Sequence, residues 1–280
     1  MTALLNVWRD LAYQFSIRGA LGQRLGLVLR YYFRYAAGRR RGRSQGESRM
    51  DVLLSLGAEG LTSRTVRVRS AQGKEMELDL FSAAFLLKEI EGDRSYEKLE
   101  AFLPLPGETV VDVGGHQGIF TVFAAVRVGA RGRVLSVEPY PPSFELLERN
   151  LKHNGLSNVT LFAGAASDHD GEAVLHTTNS VSGGQSLVYD SPERVALNVP
   201  VKTLDRILGE AGLKPDLIKI DVEGSCLRVL KGAPKTLEGR PRLVMEVEFG
   251  PAAVKEVVGY VEARGYRARV FESLVYAEAA

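Results

Sequence analysis

The chain has 280 residues and a single cysteine, Cys226, so it holds no internal disulfide framework and no zinc site built from several thiolates. A reducing compartment is expected, and secretion is not. It lacks the run of about 20 apolar residues that a spanning helix needs. It also lacks a compact apolar stretch followed by a small-residue cleavage site. Neither signal peptide nor membrane anchor is expected, which points to a cytoplasmic protein. No internal repeat is found. What the chain does have is core-forming material, since 45% of its residues are hydrophobic, ample for a globular protein.

A formal net charge of +2 conceals a split. Residues 1–50 carry ten arginines against Asp10 and Glu47, a balance of +8, which leaves −6 for residues 51–280. In this leader, Leu4, Trp8, Leu11 and Phe15, then Leu21, Leu25, Val28, Leu29, Tyr32 and Phe33, recur at helical spacing and predict two amphipathic helices. The stretch "AGRRRGRSQGES", residues 37–48, reads as a linker, because its glycines, serines and like charges cannot bury enough surface to order themselves. Two readings of the leader stay open. One is a basic amphipathic surface, residues 1–43, that touches anionic membrane peripherally; the other is a helical cap on the main domain. Residues 51–106 form a second expected segment. Alternation between Val66 and Leu80 predicts a hairpin around Gln72 and Gly73. After it "AAFLLKEIE" and "YEKLEAFL" read as helices, the second stopped by "PLPGE".

The third segment, 107–280, alternates strand and helix. Expected strands are "TVVDVG", "RVLSVEP", "VTLFAGAAS", "DLIKIDVEG" and "RLVMEVEF", with helices near 118–128, 143–153, 225–231 and 252–264. Such alternation predicts a doubly wound α/β fold, a parallel sheet covered on both faces. "EAVLHTT" and "NVPVKTL" suggest a local antiparallel addition, and "YRARVF" and "LVYAEA" an antiparallel pair at an edge.

Ligands of such sheets sit at the carboxyl ends of the strands, where strand order reverses. The turn after the first strand lies in "TVVDVGGHQGIF", residues 109–120. A P-loop would need a lysine and then Ser or Thr after its second glycine, but Gly118 is followed by Ile119 and Phe120. A dinucleotide fingerprint wants glycines at relative positions one, three and six; counted from Gly114 these are Gly114, His116 and Ile119. What remains, Asp112-x-Gly114-x-His116-x-Gly118 with Gly115 inside it, is a variant of the acidic-x-Gly-x-Gly-x-Gly turn that binds S-adenosylmethionine. That ligand carries an ammonium and a sulfonium and no phosphate, so an acidic turn suits it. Glu138, at the end of the second strand, is placed to accept both ribose hydroxyls. Ala166 and Asp168, in "AASDHDG", are candidates for reading adenine, although Asp168 and Asp170 before Gly171 also make a plain turn.

These residues resemble the FkbM family of S-adenosylmethionine-dependent methyltransferases. The resemblance rests on "DVGGHQG" (112–118), "EPYPPSFELLERN" (138–150), "ASD" (166–168), "TLD" (203–205) and above all "KIDVEGSCLRVLKGA" (219–233). It covers roughly residues 107–249. It implies a class I, Rossmann-like, mostly parallel seven-stranded sheet, here with an N-terminal helical extension, and O-methylation of a sugar, glycan or secondary metabolite. Two positions depart from the family pattern. His116 stands where asparagine is usual and either contacts the cofactor or fills the turn. Cys226 replaces the second glutamate of E-G-x-E and, with no metal-ligand partners beside it, is expected to pack on its helix.

An acceptor hydroxyl needs help to lose its proton, from a carboxylate or a metal. Asp221 and Glu223 end the strand expected beside the first, and Asp221 is the candidate base. With Glu246 or Glu248 it could instead hold magnesium through oxygen ligands, and a helix-capping or cofactor-binding role for it also stays open. Two rival functions differ in kind. A nucleic-acid methyltransferase is suggested by "GRRRGR", but base methylation typically uses an N/D-P-P-Y/F segment where this chain has "DVEG". A catalytically silent binding module of the same fold is suggested by His116 and Cys226, and opposed by Asp112, Glu138, Asp168 and Asp221. The acceptor itself has no readable code in loops such as residues 177–193.

Overall fold

The computed structural model describes residues 12, 14, 15, 18–40, 65–69, 73–87, 90, 95–177, 187 and 195–280. They divide into two compact units, Met1–Ser95 with Thr178–Gly184 and Tyr96–Thr177 with Gln185–Ala280.

In the first unit, α1 (Leu21–Arg40) is the second of the two expected leader helices. The first falls almost wholly outside the described residues. Helix α1 runs through Arg40, so the first four residues of the expected linker continue the helix, and the rest of that linker lies outside the described residues. Leu27 and Val28 are buried, while Leu29 and Phe33, one turn apart, are 50% and 79% exposed. Arg24 is fully buried, and its guanidinium donates to Gln14 Oε1 at 2.8 Å and to the carbonyls of Gln14 and Gly19. The expected hairpin is present as β1 (Thr65–Arg69) and β2 (Glu75–Asp79), antiparallel, with Val66 and Val68 turned inward. Of its turn, Gln72 lies outside the described residues.

The second unit is built on a seven-stranded sheet. Its strands are β3 (Thr109–Val113), β4 (Arg133–Glu138), β5 (Val159–Ala163), β9 (Leu217–Ile220), β10 (Arg242–Glu246), β11 (Tyr266–Phe271) and β12 (Leu274–Ala279). They lie in the order β11-β12-β10-β9-β3-β4-β5. β9, β10, β3, β4 and β5 are mutually parallel, and β12 runs antiparallel to both β10 and β11. This is the mostly parallel seven-stranded sheet that the resemblance implies. β3 and β9 are buried along almost their whole length, as strands covered on both faces must be. The covering helices are α2 (Ile119–Val128), α3 (Pro141–His153), α4 (Leu204–Ala211), α5 (Cys226–Lys231), α6 (Pro234–Glu238) and α7 (Pro251–Glu262). Local chemistry sets their ends. Thr203 caps α4 and Gly212 closes it in the left-handed conformation, while Pro251 opens α7.

Two expectations need correction. "VTLFAGAAS" is not one strand: the chain leaves the main sheet at Gly164, and β6 (Ala165–Ser167) joins a separate three-stranded sheet with β7 (Gly171–Thr177) and β8 (Val195–Thr203). A side chain at 164 would collide with the Pro200 carbonyl and the Phe162 ring, so the glycine is what permits the departure. The expected antiparallel pairing of the two extra pieces holds within that sheet. "YEKLEAFL" is likewise not an α-helix. It makes two 3-10 turns, Ser95–Glu97 and Glu100–Phe102, separated by the extended Leu99. The second turn sets Phe102 edge-on to Tyr276 of β12 at 5.2 Å.

The three-stranded sheet is seated on α5 through Gly232, where a Cβ would stand 1.9 Å from the Ser167 carbonyl oxygen. Gly232→Ala is expected to lower stability by about 1–3 kcal/mol through overpacking. Gly209 lies inside α4, and a Cβ added there would meet nothing within 4 Å, so Gly209→Ala is expected to add about 0.5–1 kcal/mol. Denaturant midpoints of the two variants should move in opposite directions, and a shared direction would contradict this packing.

Candidate functional site

The carboxyl ends of β3, β4, β9 and β10 meet around the place where strand order reverses, between β3 and β9. The turn after β3 is forced on glycine by close approach. Gly114 has φ +85°, and a Cβ there would lie 1.8 Å from the Asp221 carbonyl oxygen. At Gly115 a Cβ would lie 2.1 Å from Ser136 Oγ. His116 is also left-handed, with φ 49°. That conformation is costly for most residues and is visited most readily by Asn, Asp and His after glycine. The His116 departure from asparagine therefore keeps the backbone property that the turn requires.

The His116 N–H donates to Glu138 Oε2 at 2.8 Å, and the Tyr140 N–H donates to Oε1 at 2.8 Å. Glu138 is almost fully buried. Burial pushes its carboxyl up to about 7, against the pull of the two backbone donors and of the Lys219 charge. Each carboxylate oxygen can accept a second donor, so this side chain could hold a pair of vicinal hydroxyls.

Beneath the turn lies a buried charge cluster. Asp112 pairs in register with Ser136 of β4 and with Lys219 of β9, which puts all three on one face of the sheet. Lys219 Nζ is 3.0 Å from Asp112 Oδ1 and 3.5 Å from Asp221 Oδ2, and donates to the Gly114 carbonyl at 2.9 Å. Thr121 of α2 donates to Asp112 Oδ2 at 2.6 Å and contacts Ser136 Oγ at 2.9 Å. The rings of Tyr96 and Phe120 flank the ammonium at 5.3 and 5.8 Å. Burial alone would depress the lysine, but the carboxylates of Asp112, Asp221 and Glu246 outweigh it and hold the group up, as the ammonium. Deleting one partner of such a buried pair typically costs about 3–5 kcal/mol.

Asp221 follows β9 and is 30% exposed at its side chain. Its Oδ2 accepts the Tyr96 hydroxyl at 2.7 Å and faces Lys219. Among the described residues no donor reaches Oδ1. The same Tyr96 hydroxyl lies 3.1 Å from Glu246 Oε2. Glu223 and Gly224 are both left-handed, at φ 46° and 88°, and the Gly224 N–H donates to Glu248 Oε2 at 2.8 Å. Burial, and then the Asp221 charge, raises Glu248 above the usual carboxylate range. A cavity of about 290 Å³ beside this turn is lined by Gly224, Cys226, Val247, Glu248, Phe249 and Val257, among others. Cys226 is buried, and burial pushes its thiol up, so it stays protonated and packs. Among the described residues no three His, Cys, Asp or Glu side chains gather as a metal site would require.

The structure thus brings together Asp112, Gly114, Gly115, His116, Gly118, Glu138, Asp221 and Glu223. Ala166 and Asp168 belong instead to β6 and its end, against α5. Ala166 is buried in the apolar core. Asp168 bonds to His169 Nδ1 at 2.9 Å and to Ser167 Oγ at 3.2 Å, and the His169 contact holds its carboxyl below the usual range. Lys219, Tyr96, Thr121 and Ser136 were not among the expected site residues. Lys219 had a signal, as the one charge inside the buried strand "LIKI"; Tyr96 had none.

The family model for the methyltransferase FkbM domain matches residues 112–268, more than half of the chain. "Methyltransferase 1" of Beauveria bassiana (strain ARSEF 2860) is 29% identical over 169 residues, covering 53% of this chain and 66% of its own length. The 31-O-demethyl-FK506 methyltransferase FkbM of Streptomyces tacrolimicus is 29% identical over 216 residues, 66% of this chain and 82% of that protein. Among solved structures, a SAM-dependent O-methyltransferase of Thermotoga maritima aligns over 76% of this chain and 77% of its own, at 17% identity and a TM-score of 0.46. By the family match over a sheet of this topology, the chain belongs to the FkbM methyltransferase family and is an S-adenosylmethionine-dependent methyltransferase.

Proposed function

We propose that the enzyme methylates a hydroxyl oxygen of a sugar, glycan or secondary metabolite, with Asp221 as the base. One observation carries this reading: Asp221 has one carboxylate oxygen fastened by Tyr96 and Lys219 and the other open, at the reversal point beside the glycine turn. The relative named as a 31-O-demethyl-FK506 methyltransferase supports an oxygen acceptor.

Bound S-adenosylmethionine supplies a methyl group already activated by its sulfonium. The residues present suit that cofactor. Glu138 is a buried acceptor for ribose hydroxyls, and Gly114, Gly115 and Gly118 leave the backbone bare for close approach. His116 keeps the turn in its left-handed shape, and Asp112 gives the turn an acidic floor through its pair with Lys219. Asp221 Oδ1 then takes the acceptor proton as the oxygen attacks, with Glu223 at the acceptor mouth. Proton removal is assigned to Asp221 directly, and magnesium held by Asp221 with Glu246 or Glu248 is the version a chelator tests.

Glu138→Ala should weaken S-adenosylmethionine binding by about 1–3 kcal/mol, read by calorimetry. Its raised carboxyl also gives a pH signature. In the unliganded protein this group contributes stability that is full below about 4.5 and is lost as pH rises through about 7. A ligand that needs the ionised acceptor runs the other way, so affinity should rise with pH through about 7 and flatten in Glu138→Gln. Unchanged affinity in folded variants would remove Glu138 from the site.

Asp221→Asn should cut turnover by about 10² to 10⁴ while sparing cofactor affinity, because the amide keeps the shape and loses the base. EDTA should leave the rate intact. Near-normal turnover of the variant would end the base assignment, and loss in EDTA with rescue by magnesium would replace it with the metal version.

For the leader, peripheral contact with anionic membrane stands as the reading to be tested against a helical cap. No described helix is long and apolar enough to cross a bilayer, but the +8 charge of residues 1–50 and the exposed Leu29 and Phe33 suit a surface contact. Full-length protein should co-sediment with phosphatidylserine vesicles at low salt and lose this on truncation before Met50. Equal recovery with neutral vesicles would exclude it.

A further inference from the structure

We infer that Tyr96 is a positioning residue for the base: it fixes the Asp221 carboxylate so that Oδ1 faces the methyl acceptor. The inference rests on the reading of Asp221 as base. It goes beyond the family match, since Tyr96 precedes residues 112–268 and reaches Asp221 across 125 residues of sequence.

Two features make Tyr96 suited to this task. Its side chain is rigid and held, 6% exposed, with the ring edge-on to Phe120 at 5.7 Å and beside the Lys219 ammonium at 5.3 Å. Its hydroxyl and the Lys219 ammonium both converge on Oδ2 of Asp221, at 2.7 and 3.5 Å. The Tyr96 hydrogen bond and the looser Lys219 ion pair fall on the same oxygen and leave the second oxygen for the acceptor. A carboxylate held by Lys219 alone would keep a charge partner but lose the angular constraint of the hydrogen bond, and in-line methyl transfer is sensitive to small misplacements.

The second acceptor of the hydroxyl explains how the arrangement survives turnover. Tyr96 has one proton and two carboxylates in reach, Asp221 and, at 3.1 Å, Glu246. While Asp221 is ionised the nearer oxygen holds the proton. In the reaction the methyl group passes to the acceptor oxygen and the acceptor proton passes to Asp221 Oδ1. Tyr96 keeps its own proton, and its hydroxyl turns toward Glu246, so no donor is left pointing at a neutral acid without an alternative. Among the described residues, the other charged groups that face Asp221 include Lys219, Asp112 and Glu248.

The test uses the full-length enzyme and a transferable radiolabelled methyl group. Tyr96→Phe keeps the ring and removes the hydroxyl. We expect kcat to fall about 10- to 100-fold, with acceptor KM, S-adenosylmethionine affinity and melting temperature close to wild type. In an Asp221→Asn background the same substitution should cost less than about two-fold, because Tyr96 acts through that carboxylate. Near-wild-type kcat in Tyr96→Phe overturns the inference. So does a full additional loss in the Asp221→Asn background, which would place the action of Tyr96 elsewhere. If Asp221→Asn itself turns over normally, it is the base assignment that has failed. If Asp221→Asn is slow and Tyr96→Phe is not, the base stands and only the positioning role is lost.

Discussion

The Lys219 ammonium is the constraint on which the rest of the site depends. It is buried, and it is satisfied from three directions: Asp112 on β3, the Gly114 carbonyl in the turn, and Asp221 after its own strand. A charge removed from water must be compensated where it sits, so the position of each of these groups is tied to the others. The pair gives little net stability, since desolvation consumes most of what attraction returns. Its larger effect is on register. A slip of β9 by one residue would turn Lys219 to the opposite face, leaving Asp112 buried without its cation. The cofactor turn and the candidate base are therefore held at a fixed mutual distance by an interaction that neither makes with a ligand.

Above this cluster the backbone is strained in a localised way. Three non-glycine residues in the left-handed region, His116, Glu223 and Phe249, follow the neighbouring strands β3, β9 and β10. Such conformations persist where surrounding structure over-determines them, and they gather at functional sites. Here the determinants are visible. His116 is drawn down by its N–H on Glu138, and the Glu223 turn is fastened by the Gly224 N–H on Glu248. Gly224 also lies flat under the Phe249 ring, where a side chain would stand 2.0 Å from that ring.

The sequence made the scaffold readable because strands covered on both faces must be continuously apolar, as "TVVDV" and "LIKI" nearly are, and because the turn chemistry of Gly114 to Gly118 is local. The site's carboxylates were legible for the same reason: each ends a recognisable strand. The break at Gly164 was not, since "VTLFAGAAS" carries no charge or proline to mark a boundary, and only the crowding by Pro200 and Phe162 turns its glycine into a point of departure. That break is also why Ala166 and Asp168 sit with another sheet. Tyr96 could not be read at all. Its role arises from contacts made across 125 and 150 residues, and nothing in "RSYEKLE" distinguishes its tyrosine from one that only packs. Lys219 lay between these extremes, a charge in a buried strand that required a partner without revealing which.

The placement of β12 bears on how the protein is made. Of the seven strands in the main sheet it is the last to be synthesised, yet it lies inside, between β10 and β11, with Val275, Tyr276 and Ala277 fully buried. Until it arrives, β10 presents an unpaired and strongly apolar edge, the kind of surface on which chains associate wrongly. A nascent chain that stalls after α7 therefore carries a nearly complete parallel sheet with one open side, and its protection in that interval has to come from outside the molecule or from the speed with which the closing hairpin follows.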